Sequence, residues 1–178
     1  GAVIDACKEH LPGIAASFDD PRLDLHVADG IDFVKNAASN SYDLVIVDGS
    51  DPVGPAEGLF TVAFYQNCER VLKQNGILVA QGESPKFNEQ AFTELNATLK
   101  SIFGNSNAYI SLLYVPTYPT GMWSFQWGIK GDLDPLKINE KADEISAFVN
   151  ENGLNYYNFH IHKSSFALPN FVLKMLDK

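Results

Sequence analysis

Apolar residues along this chain recur with two different periods, and the two kinds of segment alternate. Val3, Ile4, Cys7 and Leu11 share one face at helical spacing, and Pro12-Gly13 closes that helix. Leu23, Leu25 and Val27 alternate with Asp24, His26 and Ala28, which predicts a strand over Leu23–Ala28. Ile31, Phe33, Val34 and Ala37 then predict a short helix. Leu44–Val47 is an unbroken apolar run, too short for a helix and rich in β-branched residues, so it reads as a strand buried on both faces. Phe64, Cys68, Val71 and Leu72 mark an amphipathic helix with Gln74-Asn75-Gly76 as its stop, and Ile77–Ala80 is a second buried strand. Phe92, Leu95, Leu99, Ile102 and Phe103 give the clearest helix, ended by Gly104. Tyr109–Val115 and Trp123–Ile129 follow as strands, and the tight Pro116–Gly121 connection makes them antiparallel neighbours. A polar helix over Asn139–Val149, broken at Asn150–Gly153, and a helix from about Leu168 to Leu176 complete the chain. This alternation predicts an α/β fold with a largely parallel sheet.

Composition adds constraints without changing that picture. The 178 residues suit one domain, with 46% hydrophobic and 20% charged residues. The net charge is −9, and the 13 basic residues form no cluster, which speaks against nucleic acid as a partner. An acidic surface also favours a cationic substrate. Cys7 and Cys68 lie in separate helices without metal-type spacing and read as reduced structural thiols. No apolar run approaches about 18 residues and no signal-peptide pattern opens the chain, so the expectation is a cytoplasmic protein without a membrane span. Gly1-Ala2 leads directly into a helical pattern, as in a cleaved tag or a piece of a longer chain.

The candidate chemistry gathers at strand ends. Asp29-Gly30, Asp48 with Asp51, and Gln81 with Glu83 all follow predicted strands, where ligands bind in open α/β sheets. A lone Asp in such a place can simply cap or turn the chain, but three polar ends on one sheet edge favour a crevice. Gly49, Gly54 and Gly58 match neither GxGxxG nor the P-loop, and Asp48 and Asp51 lack phosphate-cradling neighbours, so no metal is expected there. His160 and His162 have the spacing that places two imidazoles on one strand face, yet no third ligand is near, which favours a structural role. No G-x-S-x-G elbow supports a hydrolase triad. Within the aromatic group Tyr114, Tyr118, Trp123, Phe125 and Trp127, Tyr118 stands apart, held between two prolines at the same edge.

The string Asp48-Gly-Ser-Asp51-Pro-Val-Gly-Pro-Ala-Glu57 resembles the signature of the spermidine synthase, or polyamine aminopropyltransferase, family. Leu78–Ser84, Val115–Gly121, Tyr156–Asn158 and His162 with Phe166–Pro169 resemble it too, so the likeness runs through nearly the whole chain. The resemblance implies a Rossmann-like, methyltransferase-type sheet of order 3-2-1-4-5-7-6. In that sheet Leu23–Ala28 takes place 3, Leu44–Val47 place 4, Ile77–Ala80 place 5, and the last two strands places 6 and 7. It also implies transfer of an aminopropyl group from decarboxylated S-adenosylmethionine to putrescine, giving spermidine and methylthioadenosine.

On that resemblance Asp48 matches the group that takes the proton of the attacking amine. Asp51, Gln81 and Tyr118 match groups that hold and position the amines. Asp29 and Gly30 match adenine contacts, and Pro55, Ala56 and Leu59 match the loop over the nucleoside. No cofactor is implied, since the sulfonium donor is a co-substrate, and the family implies a homo-oligomer, dimer or tetramer. Family members also carry a small β-domain, a glycine-rich donor loop and a ribose-binding acid ahead of this region. None is found here, so residues 1–178 read as the C-terminal portion of the catalytic domain, inactive alone. The alternatives are a methyltransferase-like enzyme using the same pocket, or a fragment that binds amines only weakly.

Overall fold

A computed structural model describes residues 1–49, 58–118 and 121–177. Four strands form one mixed sheet: β1 (Tyr42–Val47), β2 (Leu72–Gln81), β3 (Ala108–Tyr114) and β4 (Met122–Lys130), in the order β1-β2-β4-β3. β1 and β2 run parallel, whereas β4 is antiparallel to both β2 and β3. This is the 4-5-7-6 part of the expected order. The parallel pair needs a crossover, and α4 (Val62–Val71) supplies it. The tight connection after β3 gives the antiparallel hairpin that its length dictates.

Helices α1 (Ala2–His10), α2 (Pro12–Ala15) and α3 (Gly30–Asn36) precede the sheet. α5 (Glu89–Phe103) follows β2, and α6 (Ala142–Asn152), α7 (Phe159–Ser165) and α8 (Asn170–Leu176) close the chain. The core lies where α4 and α5 cover one sheet face: Phe64, Tyr65 and Cys68 meet Leu78, Ala80, Leu95 and Leu99. Burial there pushes the Cys68 thiol up to about 12, so it behaves as a small apolar group. A second cluster of Phe92, Ile110 and Val172 seats α8 on the sheet and α5. The Gly104 stop is realised, with φ +88 at the end of α5, and Gly153 ends α6 at φ +59.

Three expectations are corrected. Residues 23–28 form no strand and make no ladder bond among the described residues. A strand is stabilised by the neighbour it pairs with, and among the described residues β1 pairs only with β2. Leu23, Leu25 and Val27 are accordingly exposed. The segment Gln74-Asn75-Gly76 does not stop a helix. α4 passes at Val71 directly into β2, and the three residues form an irregularity within that strand, Asn75 being left-handed at φ +61. Leu72 lies opposite Tyr42, but Ile77 lies opposite Leu44, so β2 takes five steps where β1 takes two. Finally, His160 and His162 sit on α7, where i, i+2 residues point apart.

Arg70 joins the first helices to the sheet. Its guanidinium donates to the carbonyl oxygens of Val34 (2.9 Å), Lys35 (3.0 Å) and Ala37 (2.8 Å) at the C-terminal end of α3, where helical partners run out. Beside it, Lys130 donates to the Glu69 carbonyl at 2.9 Å and pairs with its carboxylate at 3.3 Å. These contacts hold α3 so that its N-terminus stands near the C-terminal end of β1. No helix among the described residues is long and apolar enough to cross a membrane.

Candidate active site

Three strand ends place the candidate residues on one sheet edge. Val47 lies opposite Ala80 in the parallel pair, so Asp48 and Gln81 leave neighbouring strands at the same level. Gln81 in turn lies opposite Phe125, and Tyr114 opposite Met122, which brings the loop carrying Tyr118 to this edge as well. Asp48 is exposed and Gln81 half-buried. Asp51, Pro55 and Ala56 lie outside the described residues.

An open cleft of about 360 Å³ begins at this edge and is lined by Gly30, Phe33, Val47, Asp48, Gly49 and Leu59 among others. Leu59 covers Gly49: a Cβ there would come within 3.3 Å of its Cδ1, so the glycine allows the loop to lie close beside Asp48. Asp29 opens α3 from the other side. Its Oδ1 accepts from Ile31 N–H at 2.8 Å and from Asp32 N–H at 3.4 Å, which makes it the N-cap that fixes Gly30 at the cleft.

Backbone hydrogen bonds hold Val115, Tyr118 and Gly121 together. Tyr118 N–H donates to Val115 O, Gly121 N–H donates to Tyr118 O at 2.9 Å, and Val115 N–H donates to Gly121 O at 2.8 Å. Gly121 is left-handed at φ +70, and the Tyr114 ring occupies the place a Cβ would take, so any other residue would be strained and would have to displace that ring. The Tyr118 ring stands edge-on to Trp123 with centroids 4.6 Å apart and stays 45% exposed. Of the aromatic group, Tyr114 is also exposed, while Trp127 packs against Phe166 and donates its indole N–H to Ser111 Oγ at 2.9 Å.

His162 has structural partners. One ring nitrogen lies 2.9 Å from Pro135 O and the other 3.2 Å from the Tyr157 hydroxyl. Among the described residues no group of three His, Cys, Asp or Glu is placed to hold a metal ion.

The sequence marks Glu83 only as a polar strand-end residue, and no local signal announces what the structure reveals. It is 1% exposed and left-handed at φ +66, a conformation that costs a side-chain-bearing residue about 1–2 kcal/mol. Its N–H donates to Gln81 Oε1 at 3.1 Å, and its carbonyl accepts from Ser124 Oγ at 2.8 Å. One carboxylate oxygen accepts from Asn88 Nδ2, and the other has no hydrogen-bond partner among the described residues.

Residues 1–137 match the spermine/spermidine synthase domain. The chain belongs to that family. It is 44% identical over 178 residues to the polyamine aminopropyltransferase of Clostridium perfringens (strain SM101 / Type A), covering 98% of this chain and 60% of that protein. The enzyme of the same name from Clostridioides difficile (strain 630) is 42% identical, with 99% and 61% covered. Among solved structures, a spermidine synthase in complex with the transition-state analogue AdoDATO superposes with a TM-score of 0.89 at 36% identity, covering 99% of this chain and 58% of that one. The spermidine synthase of Thermotoga maritima gives 0.87 at 36% identity, with 99% and 57% covered. The chain thus spans about 60% of the length of the relatives it matches. The Rossmann-like fold expected from the sequence agrees with these superpositions.

Proposed function

We infer that this chain forms the acceptor side, and part of the donor side, of an enzyme that transfers an aminopropyl group from decarboxylated S-adenosylmethionine to putrescine. The observation that carries this reading is the meeting of Asp48, Gln81 and Tyr118 at one sheet edge in a chain of this family. The amine nitrogen forms a bond to the propyl carbon attached to sulfur, and the C–S bond breaks. The electron pair stays on sulfur, which becomes the neutral thioether of methylthioadenosine, so the leaving group needs no acid. The nitrogen sheds a proton, which Asp48 accepts and passes to solvent.

An aliphatic amine with a lysine-like pKa costs about 4–5 kcal/mol to present neutral at pH 7. A carboxylate that orients the N–H and then takes the proton offsets part of that cost. Gln81 and Tyr118 supply hydrogen-bonding groups that hold the amine in line with carbon and sulfur. Asp51 adds negative charge for the acceptor's ammonium groups. Asp29 and Gly30 contact the adenine, and Pro55, Ala56 and Leu59 pass over the nucleoside. No cofactor or metal enters these steps, and the −9 net charge favours dicationic acceptors. The test is to incubate the intact enzyme with decarboxylated S-adenosylmethionine and a set of diamines and to follow products by mass spectrometry. Spermidine and methylthioadenosine are expected. Methylated amine formed from S-adenosylmethionine, with no aminopropyl product, would replace this reading with a methyltransferase.

A further inference from the structure

We propose that Glu83 is a positioning residue: its anchored left-handed turn fixes the Gln81 carboxamide with the oxygen end presented to the amine acceptor. The inference rests on the reading that Gln81 meets the acceptor. A half-buried carboxamide can be placed with either its oxygen or its nitrogen toward a neighbour, and the two options invert what it offers an amine. Here the Glu83 N–H decides. That donor is buried and needs an acceptor, and in the left-handed conformation it meets Gln81 Oε1 at 3.1 Å. The oxygen keeps a second lone pair, which can accept an amine N–H. The reversed carboxamide would set two donors against each other.

A glycine would adopt this backbone without strain, yet the chain has a glutamate, held at both ends. Asn88, which precedes α5, donates to its carboxylate, and Ser124 on β4 donates to its carbonyl oxygen. Gly82 lets the turn sit this deep, because a Cβ there would come within 2.6 Å of Gln126 Cγ and 2.8 Å of Ser124 Oγ. Among the described residues the buried carboxylate is hydrogen-bonded by Asn88 and forms no ion pair. Its visible work is to clamp the turn that aims Gln81.

The test is a series at Glu83 in the intact enzyme, read as separate KM values for putrescine and for the aminopropyl donor. Glu83→Gln keeps an acceptor for Asn88 and gives the smallest rise in acceptor KM. Glu83→Gly permits the turn without anchoring it and gives an intermediate rise. Glu83→Ala neither anchors nor favours the turn. It raises acceptor KM by about five- to thirtyfold, the factor by which a non-glycine residue disfavours the left-handed basin. Donor KM stays within about twofold throughout. A purely space-filling role predicts the opposite order for the last two, since glycine leaves the larger hole. Alanine equal to or better than glycine, or donor and acceptor KM rising together, overturns the proposal. Should Glu83→Ala not fold, Asn88→Ala removes the anchor alone, and an unchanged acceptor KM overturns the proposal equally. A second readout needs no turnover: the Gln81 side-chain amide resonances, identified by their loss in Gln81→Ala, should lose dispersion in Glu83→Ala. Native-like resonances in that variant count against positioning. If the wild-type enzyme transfers no aminopropyl group, the proposed function fails while this spectroscopic arm still decides the role of Glu83.

Discussion

At the scale of single residues, position on the sheet edge separates the candidates more sharply than residue type. Asp48 continues a parallel strand past its last ladder pair, and among the described residues no backbone N–H occupies its carboxylate as Ile31 and Asp32 occupy that of Asp29. Asp48→Asn in the intact enzyme should leave donor binding nearly unchanged and lower kcat by about two to four decades, the range for loss of a general base. More than a tenth of native turnover would remove Asp48 from that role. Tyr118 offers a hydroxyl on a ring already supported by Trp123. Tyr118→Phe retains the ring contact, so acceptor KM should rise while donor KM and melting temperature hold. A lowered melting temperature with both constants unmoved would make Tyr118 a packing residue. These residues were legible in the sequence because strand-end chemistry is local. Glu83 was not, because burial and a left-handed φ depend on Asn88 and Ser124, five and 41 positions away.

At the scale of elements, helices declared themselves through period and punctuation, and their attachments did not. α5 runs to Gly104, where the sequence ended it, since a stop at positive φ needs only the local glycine. By contrast, α3 is seven residues long, too short to be stable alone, and Arg70 supports it from α4 by accepting none and donating to three of its terminal carbonyls. Arg70→Ala should therefore lower unfolding free energy by about 1.5–3 kcal/mol, the contribution of hydrogen bonds to a charged group, and Arg70→Lys should recover little of it. Denaturant midpoints measure both. A loss below about 0.5 kcal/mol, the level of an ordinary surface change, would show that α3 is held elsewhere. The two histidines teach the same lesson: their spacing suited a strand face, but Asn158 caps a helix there by accepting from Ile161 N–H at 2.9 Å.

At the scale of the whole molecule, β1, which its unbroken apolar run predicted to be buried on both faces, is among the described residues an edge strand with apolar side chains in the open. Leu44 is 49% exposed and Ile46 67%, and no strand among the described residues pairs with that edge. Free backbone groups beside such residues invite pairing with another chain. A chain of these 178 residues should associate as its concentration rises, and Ile46→Lys should weaken that association, as light scattering would report. A monodisperse monomer across the micromolar-to-millimolar range would mean that the edge is protected in another way.

The sequence by itself determined helices α1, α3 to α6 and α8 but not α7, the four strands that pair, and the sheet-edge positions of Asp48, Gln81 and Tyr118. Hydrophobic period and turn residues act within a few residues of chain, so they survive being read one segment at a time. Only the tertiary structure decided that Leu23–Ala28 does not become a strand, that Gln74–Gly76 lies inside one, and that Glu83 is buried behind Gln81. Each of these outcomes depends on a partner distant in sequence: a ladder neighbour, a strand register, or a side chain from α5 or β4. Alternation can prepare a segment for pairing, but the hydrogen bonds that make it a strand belong to two segments at once.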